Sequence, residues 1–97
     1  MNDGIFSGLR LIVITSKQLV VDEHVDSISL PSLDGYLGIL PGHRHLLLAV
    51  GQGTLTYKKG KSEKGVSVQG GYAKIHPDRV HVFTELSDNA SQFADKG

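Results

Sequence analysis

The chain contains no cysteine, which excludes disulfides, thiolate zinc sites and cysteine nucleophiles. It also lacks a charge imbalance, because ten basic and ten acidic residues cancel. That argues against a nucleic-acid surface or a polybasic membrane anchor. Long hydrophobic runs are missing too, and the apolar stretches fall far short of the ~20 residues that span a bilayer as a helix. The opening MNDGIFSG has neither the basic residues nor the apolar stretch of a secretory signal. A soluble, cytosolic chain is the expectation, and nothing here forbids docking to a membrane complex through protein contacts. No internal repeat is visible, and at 97 residues the chain is expected to form one domain.

What is present reads as strand. Leu9, Leu11 and Val13 alternate with Arg10, Ile12 and Ile14, and Ile28 and Leu30 alternate with Ser27 and Ser29. Leu55 and Tyr57 fall on the face opposite Thr54, Thr56 and Lys58. Further runs cover 18–22, 36–40, 45–50, 66–69, 72–76 and 80–85. Turn signals separate them: Asp34-Gly35, the charged KKGKSEKG over 58–65, Gly70-Gly71 and Pro77-Asp78-Arg79. The spacing predicts an all-β fold, a sandwich of roughly nine to ten short strands over 1–86, followed by a polar and flexible tail over 87–97.

Catalytic constellations do not assemble from these residues. The Gly60-Lys61-Ser62 stretch resembles the end of a phosphate-binding loop, but the required upstream glycine position holds Leu55 and no helix follows. There is no G-x-S-x-G elbow. Asp34 beside Gly35 has no second carboxylate nearby and reads as a turn residue. His43 and His45, two apart, would share one face of a strand and form half of a metal site, or else sit as polar groups on an exposed edge. No catalytic residue, metal or cofactor is expected. The alternative to a pure interaction module is a free-standing sandwich that binds a metal or small molecule through His43 and His45.

The segment DGYLGILPGHRH, Asp34 to His45, looks made for contact. Its small residues let backbones approach closely, and the Leu46-Leu47-Leu48 triplet beside it cannot place all three side chains on one face. Either one of them faces outward or the strand is covered on both sides. Arg44 is the best anchor candidate for a protein interface.

Three blocks, VDSISLPSLDGYLGILPGH, LLLAVGQGTLTY and VQGGYAKIHPDRVHVF, resemble the epsilon subunit family of rotary ATP synthases, called delta in mitochondria. The resemblance runs from Leu9 to Leu86 and implies a non-catalytic β-sandwich in the central stalk, turning as part of the rotor. The partners it implies are the gamma subunit and the c ring, within the alpha, beta, gamma, delta and epsilon complex. Loop Ser32–Tyr36 (Ser32, Leu33, Asp34, Gly35, Tyr36) would meet the c ring. His43, Arg44, His45, Leu46 and Leu48 would meet gamma. The implied location is the cytoplasmic face of the bacterial inner membrane, as a peripheral protein.

Three features depart from the family pattern. Relatives continue after the sandwich into a helical hairpin, whereas only about a dozen residues follow Glu85 here, so inhibitory and ATP-sensing roles are not carried over. Arg44 and His45 stand where relatives often have Ala-Pro, which asks for a carboxylate on the partner. Tyr36 stands at a position that is often acidic. Gly35→Val and Gly38→Val are expected to cost stability if these glycines use positive φ or tight approach.

Overall fold

A computed structural model describes residues 8–86; the sequence-based reading of 87–97 as a flexible tail lies outside the described residues. Strands form where the sequence alternates. In β1 (Leu9–Ile14) the inward Leu9, Leu11 and Val13 are completely buried and Arg10 is exposed. β2 (Leu19–Val25) returns antiparallel to it, after a turn in which the Thr15 hydroxyl accepts the N–H groups of Lys17 and Gln18. β3 (Ser27–Ser32) and β4 (Gly35–Ile39) pair as a hairpin and bury Ile28, Leu30 and Ile39. A short β5 (Leu46–Ala49) precedes the long hairpin of β6 (Gln52–Lys59) and β7 (Ser62–Ile75), and β8 (Arg79–Leu86) completes the order.

All eight strands belong to one sheet ordered β2-β1-β8-β7-β6-β3-β4, with β5 paired to β7 off that path. β1 and β8 run parallel, and the other pairs are antiparallel. The sheet closes over itself at β7: its first part pairs with β6, its last part with β5 and β8. The core between the layers joins Leu11, Val80, Val82 and Ile75 to Leu30, Ile39, Leu55 and Val68. Each such side chain stabilises the fold by roughly 1.5–3 kcal/mol relative to exposure.

The all-β architecture is as expected, with eight strands among the described residues instead of nine or ten. The runs 66–69 and 72–76, read as separate strands, fall together in β7. Gly70 and Gly71, at φ +75° and +96°, shift the register there without ending the strand. Gly71 passes so close to β8 that a Cβ would overlap the Phe83 carbonyl. The buried Thr84 hydroxyl donates to the Gly70 carbonyl at 2.6 Å and holds the bulge in place. The charged 58–65 stretch is also mostly strand. Its ladder continues through Lys58↔Glu63 and Lys59↔Ser62, leaving only Gly60-Lys61 to turn, with Gly60 at φ +61°. Asp26 Oδ2 accepts the Gly60 N–H at 2.8 Å, so the charges ride on an exposed ribbon whose backbone is satisfied by pairing.

Candidate functional site

The β3–β4 hairpin ends in a two-residue turn, Leu33-Asp34, between the paired Ser32 and Gly35. Ser32 shapes it: its hydroxyl donates to the Gly35 carbonyl at 2.6 Å and accepts the Asp34 N–H at 3.2 Å. Gly35 has φ +121°, a conformation that favours glycine. Gly38, by contrast, lacks a positive φ and a Cβ there would meet nothing within 4 Å. The expectation of tight packing at Gly38 therefore does not hold. The turn pushes Leu33 into solvent at 75% exposure, and Tyr36 is 60% exposed. Tyr36 is nonetheless tethered. Its hydroxyl crosses over Gly53 to accept the Thr54 N–H at 3.1 Å. Loop Ser32–Tyr36 and β5 meet in an open depression of about 470 Å³, which Leu37, Leu48 and Ala49 also line. The two stretches that the sequence assigned to separate contacts are thus neighbours at this end of the domain.

β5 sorts the leucine triplet by its pairing with β7. Leu46 and Leu48 stand opposite the buried Ile75 and Ala73, whereas Leu47 stands opposite the exposed Lys74. Leu48 packs partly against the core, Leu46 is 39% exposed at the margin, and Leu47 is 64% exposed. Coverage on both sides is ruled out for this strand. Leu47, absent from the sequence-based interface, is the outward member, and strict alternation from Leu46 was the signal that could have found it. Ahead of β5, the Gly42 N–H donates to the Pro77 carbonyl at 2.7 Å and ties 41–45 to the β7–β8 turn. Arg44 is exposed. His43 is half-buried, and its Nδ1 donates to the Arg44 carbonyl at 2.8 Å.

His45 instead meets His76, ring centroids 5.0 Å apart, and His76 lies 6.3 Å from His81. The alternative reading of His43 and His45 as half of a metal site gains no support from this arrangement. Among the described residues no group of three or more histidines or carboxylates is arranged to hold a metal ion. The burial of its ring, and then the positive Arg79 and the neighbouring His45 and His81, push the His76 pKa below its ordinary value; Asp78 opposes this in part.

These histidines belong to a larger outer face. Register sets Ala49, Tyr72, Phe83, Ile14 and Leu19 side by side across five strands, with Tyr72 and Phe83 stacked at 4.9 Å. The adjacent row is Leu47, Lys74, His81, Ile12 and Asp22. In the third row Arg79, Arg10 and His24 are aligned, with His45 and His76 at the β5 end. Arg10 donates to both Asp22 oxygens at 3.0 Å, and this contact holds the Asp22 carboxyl below its ordinary pKa. Among the described residues no helix is long and apolar enough to cross a membrane.

The family model described as "ATP synthase, Delta/Epsilon chain, beta-sandwich domain" matches residues 8–88. An ATP synthase epsilon chain of Solibacter usitatus is 39% identical over 84 residues, covering 87% of this chain and 63% of that one. One from Alkalihalophilus pseudofirmus is 37% identical over 82 residues, covering 84% of this chain and 62% of the relative. The chain thus spans under two thirds of the length of these relatives. A chain in the cryo-EM structure of the Euglena gracilis mitochondrial ATP synthase (OSCP/F1/c-ring) superposes with a TM-score of 0.75. It is 21% identical, and the match covers 80% of this chain and 51% of that chain. A chain of the Tetrahymena thermophila mitochondrial ATP synthase central stalk/c-ring gives a TM-score of 0.66 at 13% identity, covering 91% of this chain and 86% of the other. At those identities the likeness is one of fold.

Proposed function

The chain belongs to the ATP synthase delta/epsilon β-sandwich family, and from that premise we propose that it is a non-catalytic rotor subunit of the central stalk. It fixes gamma to the c ring so that ion flow, of protons or sodium, is coupled to rotation and to ATP synthesis. The observation that carries this reading is the family match over 8–88. The geometry agrees with it, because the domain has an exposed apolar hairpin tip at Leu33 and Tyr36 and an outward-facing β5 flank. The tip Ser32–Tyr36 meets the c ring, and His43, Arg44, His45, Leu46 and Leu48 contribute to the gamma side. There the chain works inside the alpha, beta, gamma, delta and epsilon complex, peripheral to the cytoplasmic face of the bacterial inner membrane.

Relatives often carry an acidic residue where Tyr36 stands. The c-ring contact is therefore assigned to apolar burial of Leu33 and Tyr36, with Asp34 the remaining charge at the turn. The test is capture of the tagged chain from a lysate of its own source, with bound proteins identified by mass spectrometry. Recovery of gamma with alpha and beta behind it supports the reading. Recovery without gamma, together with no affinity for purified gamma at micromolar concentration, overturns it.

A further inference from the structure

His24, His45, His76 and His81 lie on one face of the sandwich, and His76 stands beside both His45 and His81, with ring centroids 5.0 and 6.3 Å apart. A protonation change there alters the charge of one surface and of little else. The groups facing His76 come from every neighbouring element. His45 approaches from the segment before β5, Lys74 from β7, and Arg79 and His81 from β8, while Asp78 lies in the intervening turn. Beyond Arg79 follow Arg10 of β1 and then His24 and Asp22 of β2.

Glu85, on the same side of β8 as His81 and Phe83, is exposed at the far edge of this face, whereas the two carboxylates nearer the histidines are engaged. Asp22 is bound by Arg10, and Asp78 by Arg79 at 3.1 Å. Lys74 and the nearby Arg44 have no acidic partner within ion-pair distance among the described residues. The patch is cationic at neutral pH and becomes more so on acidification, while the stacked Tyr72–Phe83 pair and Leu47 beside it keep an apolar band exposed or half-buried. Such a surface complements an apolar strip flanked by carboxylates.

We propose that this face docks a partner protein which sets carboxylates against His45, His76 and His81, so that docking takes up protons and tightens as the pH falls. The inference rests on the rotor reading, under which that partner is gamma. Carboxylates brought against an imidazole favour its charged form. Affinity then rises with acidification, because the complex binds more protons than the separated chains. The mutual repulsion of the protonated rings, which Asp78 offsets only in part in the free chain, is relieved in the complex.

The experiment is titration calorimetry of the 97-residue chain with gamma from the same source at pH 8, 7 and 6. It is run in two buffers of different ionisation enthalpy, so that proton uptake is read directly. The expected result is net proton uptake and roughly fivefold tighter binding at pH 6 than at pH 8, what a one-unit rise in a single histidine produces near its midpoint. The triple variant His45→Gln, His76→Gln, His81→Gln is expected to lose both the uptake and the pH dependence, whatever its affinity at pH 8. The two-buffer measurement on the unaltered chain decides the matter even if that variant folds poorly. A gamma complex with no proton uptake, or one that weakens on acidification, overturns this inference and leaves the rotor reading standing. Absence of gamma binding at every pH overturns both. A triple variant that folds and keeps the parent's pH dependence shows that other groups titrate, and overturns the assignment to these histidines.

Discussion

Single residues in this domain differ sharply in what they can tolerate, and the glycines show why. Gly71 combines φ +96° with a position where a Cβ would overlap the Phe83 carbonyl. Gly71→Ala is expected to cost about 2–4 kcal/mol, because neither the left-handed backbone nor the neighbouring strand can yield cheaply. Gly38 is the opposite case, with open space and no positive φ. Gly38→Ala is expected to be neutral or to stabilise by up to about 1 kcal/mol through the lost freedom of the unfolded chain. Urea unfolding of both variants checks the contrast. The sequence drew attention to Gly35, Gly38 and the Gly70-Gly71 pair alike; only backbone geometry separates them, because a glycine's letter does not state its φ. Arg44 is exposed, so Arg44→Glu should leave stability within about 0.5 kcal/mol while weakening gamma binding. Calorimetry and a melt of the same variant separate those effects. A variant that melts early yet binds normally would contradict the interface assignment.

At the level of elements, the β3–β4 hairpin is a rigid pointer. Ser32 closes its turn and the Tyr36 hydroxyl anchors its flank to β6. Tyr36→Phe removes one exposed hydrogen bond and is expected to cost about 0.5–1.5 kcal/mol, read by chemical denaturation. Leu33→Ser, at a tip that is 75% exposed, should change stability by no more than about 0.5 kcal/mol. It should lower retention of the chain on detergent-solubilised rings of c subunits, measured by co-sedimentation. Unchanged retention would remove the tip from that contact. β5 shows how far patterns reach. Three leucines in a row announce a strand that cannot hide them all, but which one faces outward depends on the register against β7, where Leu47 falls opposite Lys74. The charged ribbon of β6 and β7 carries the composition of a turn, which is why its sequence signals a break between strands. Backbone pairing there needs no apolar face, and a two-residue turn at Gly60 is enough to continue it.

For the molecule as a whole, the sheet that closes through β7 should unfold as one unit. Acid should act on it in two stages. His76 titrates below its ordinary 6.5 when folded, so the unfolded chain takes up that proton first. Its neutral form contributes fully above the ordinary value, and the contribution is lost as the pH falls from there through the folded value. Asp22 is also held below its ordinary value when folded. What it contributes is present above the ordinary carboxylate range and is lost only as the pH drops through its folded pKa. Melting temperatures from pH 8 to pH 3 are expected to fall in both windows, and His76→Gln should flatten the first while leaving the second. A profile unchanged by that substitution would mean the histidine cluster does not govern acid sensitivity.

Alternation and turn chemistry were enough to read an all-β domain, to put Leu9, Leu11 and Val13, Ile28 and Leu30, and Leu55 and Tyr57 each on one face of its strand, and to mark the Asp34-Gly35 reversal, because these properties are set within a few bonds of each residue. The ordered blocks were enough to point to the family. Closure in three dimensions decided the rest. The parallel pairing of β1 with β8, the passage of β7 through both layers, and the assembly of His45, His76 and His81 on one face join residues far apart in the chain. No local pattern encodes which strand lies beside which. That choice falls to the arrangement that buries every apolar face at once.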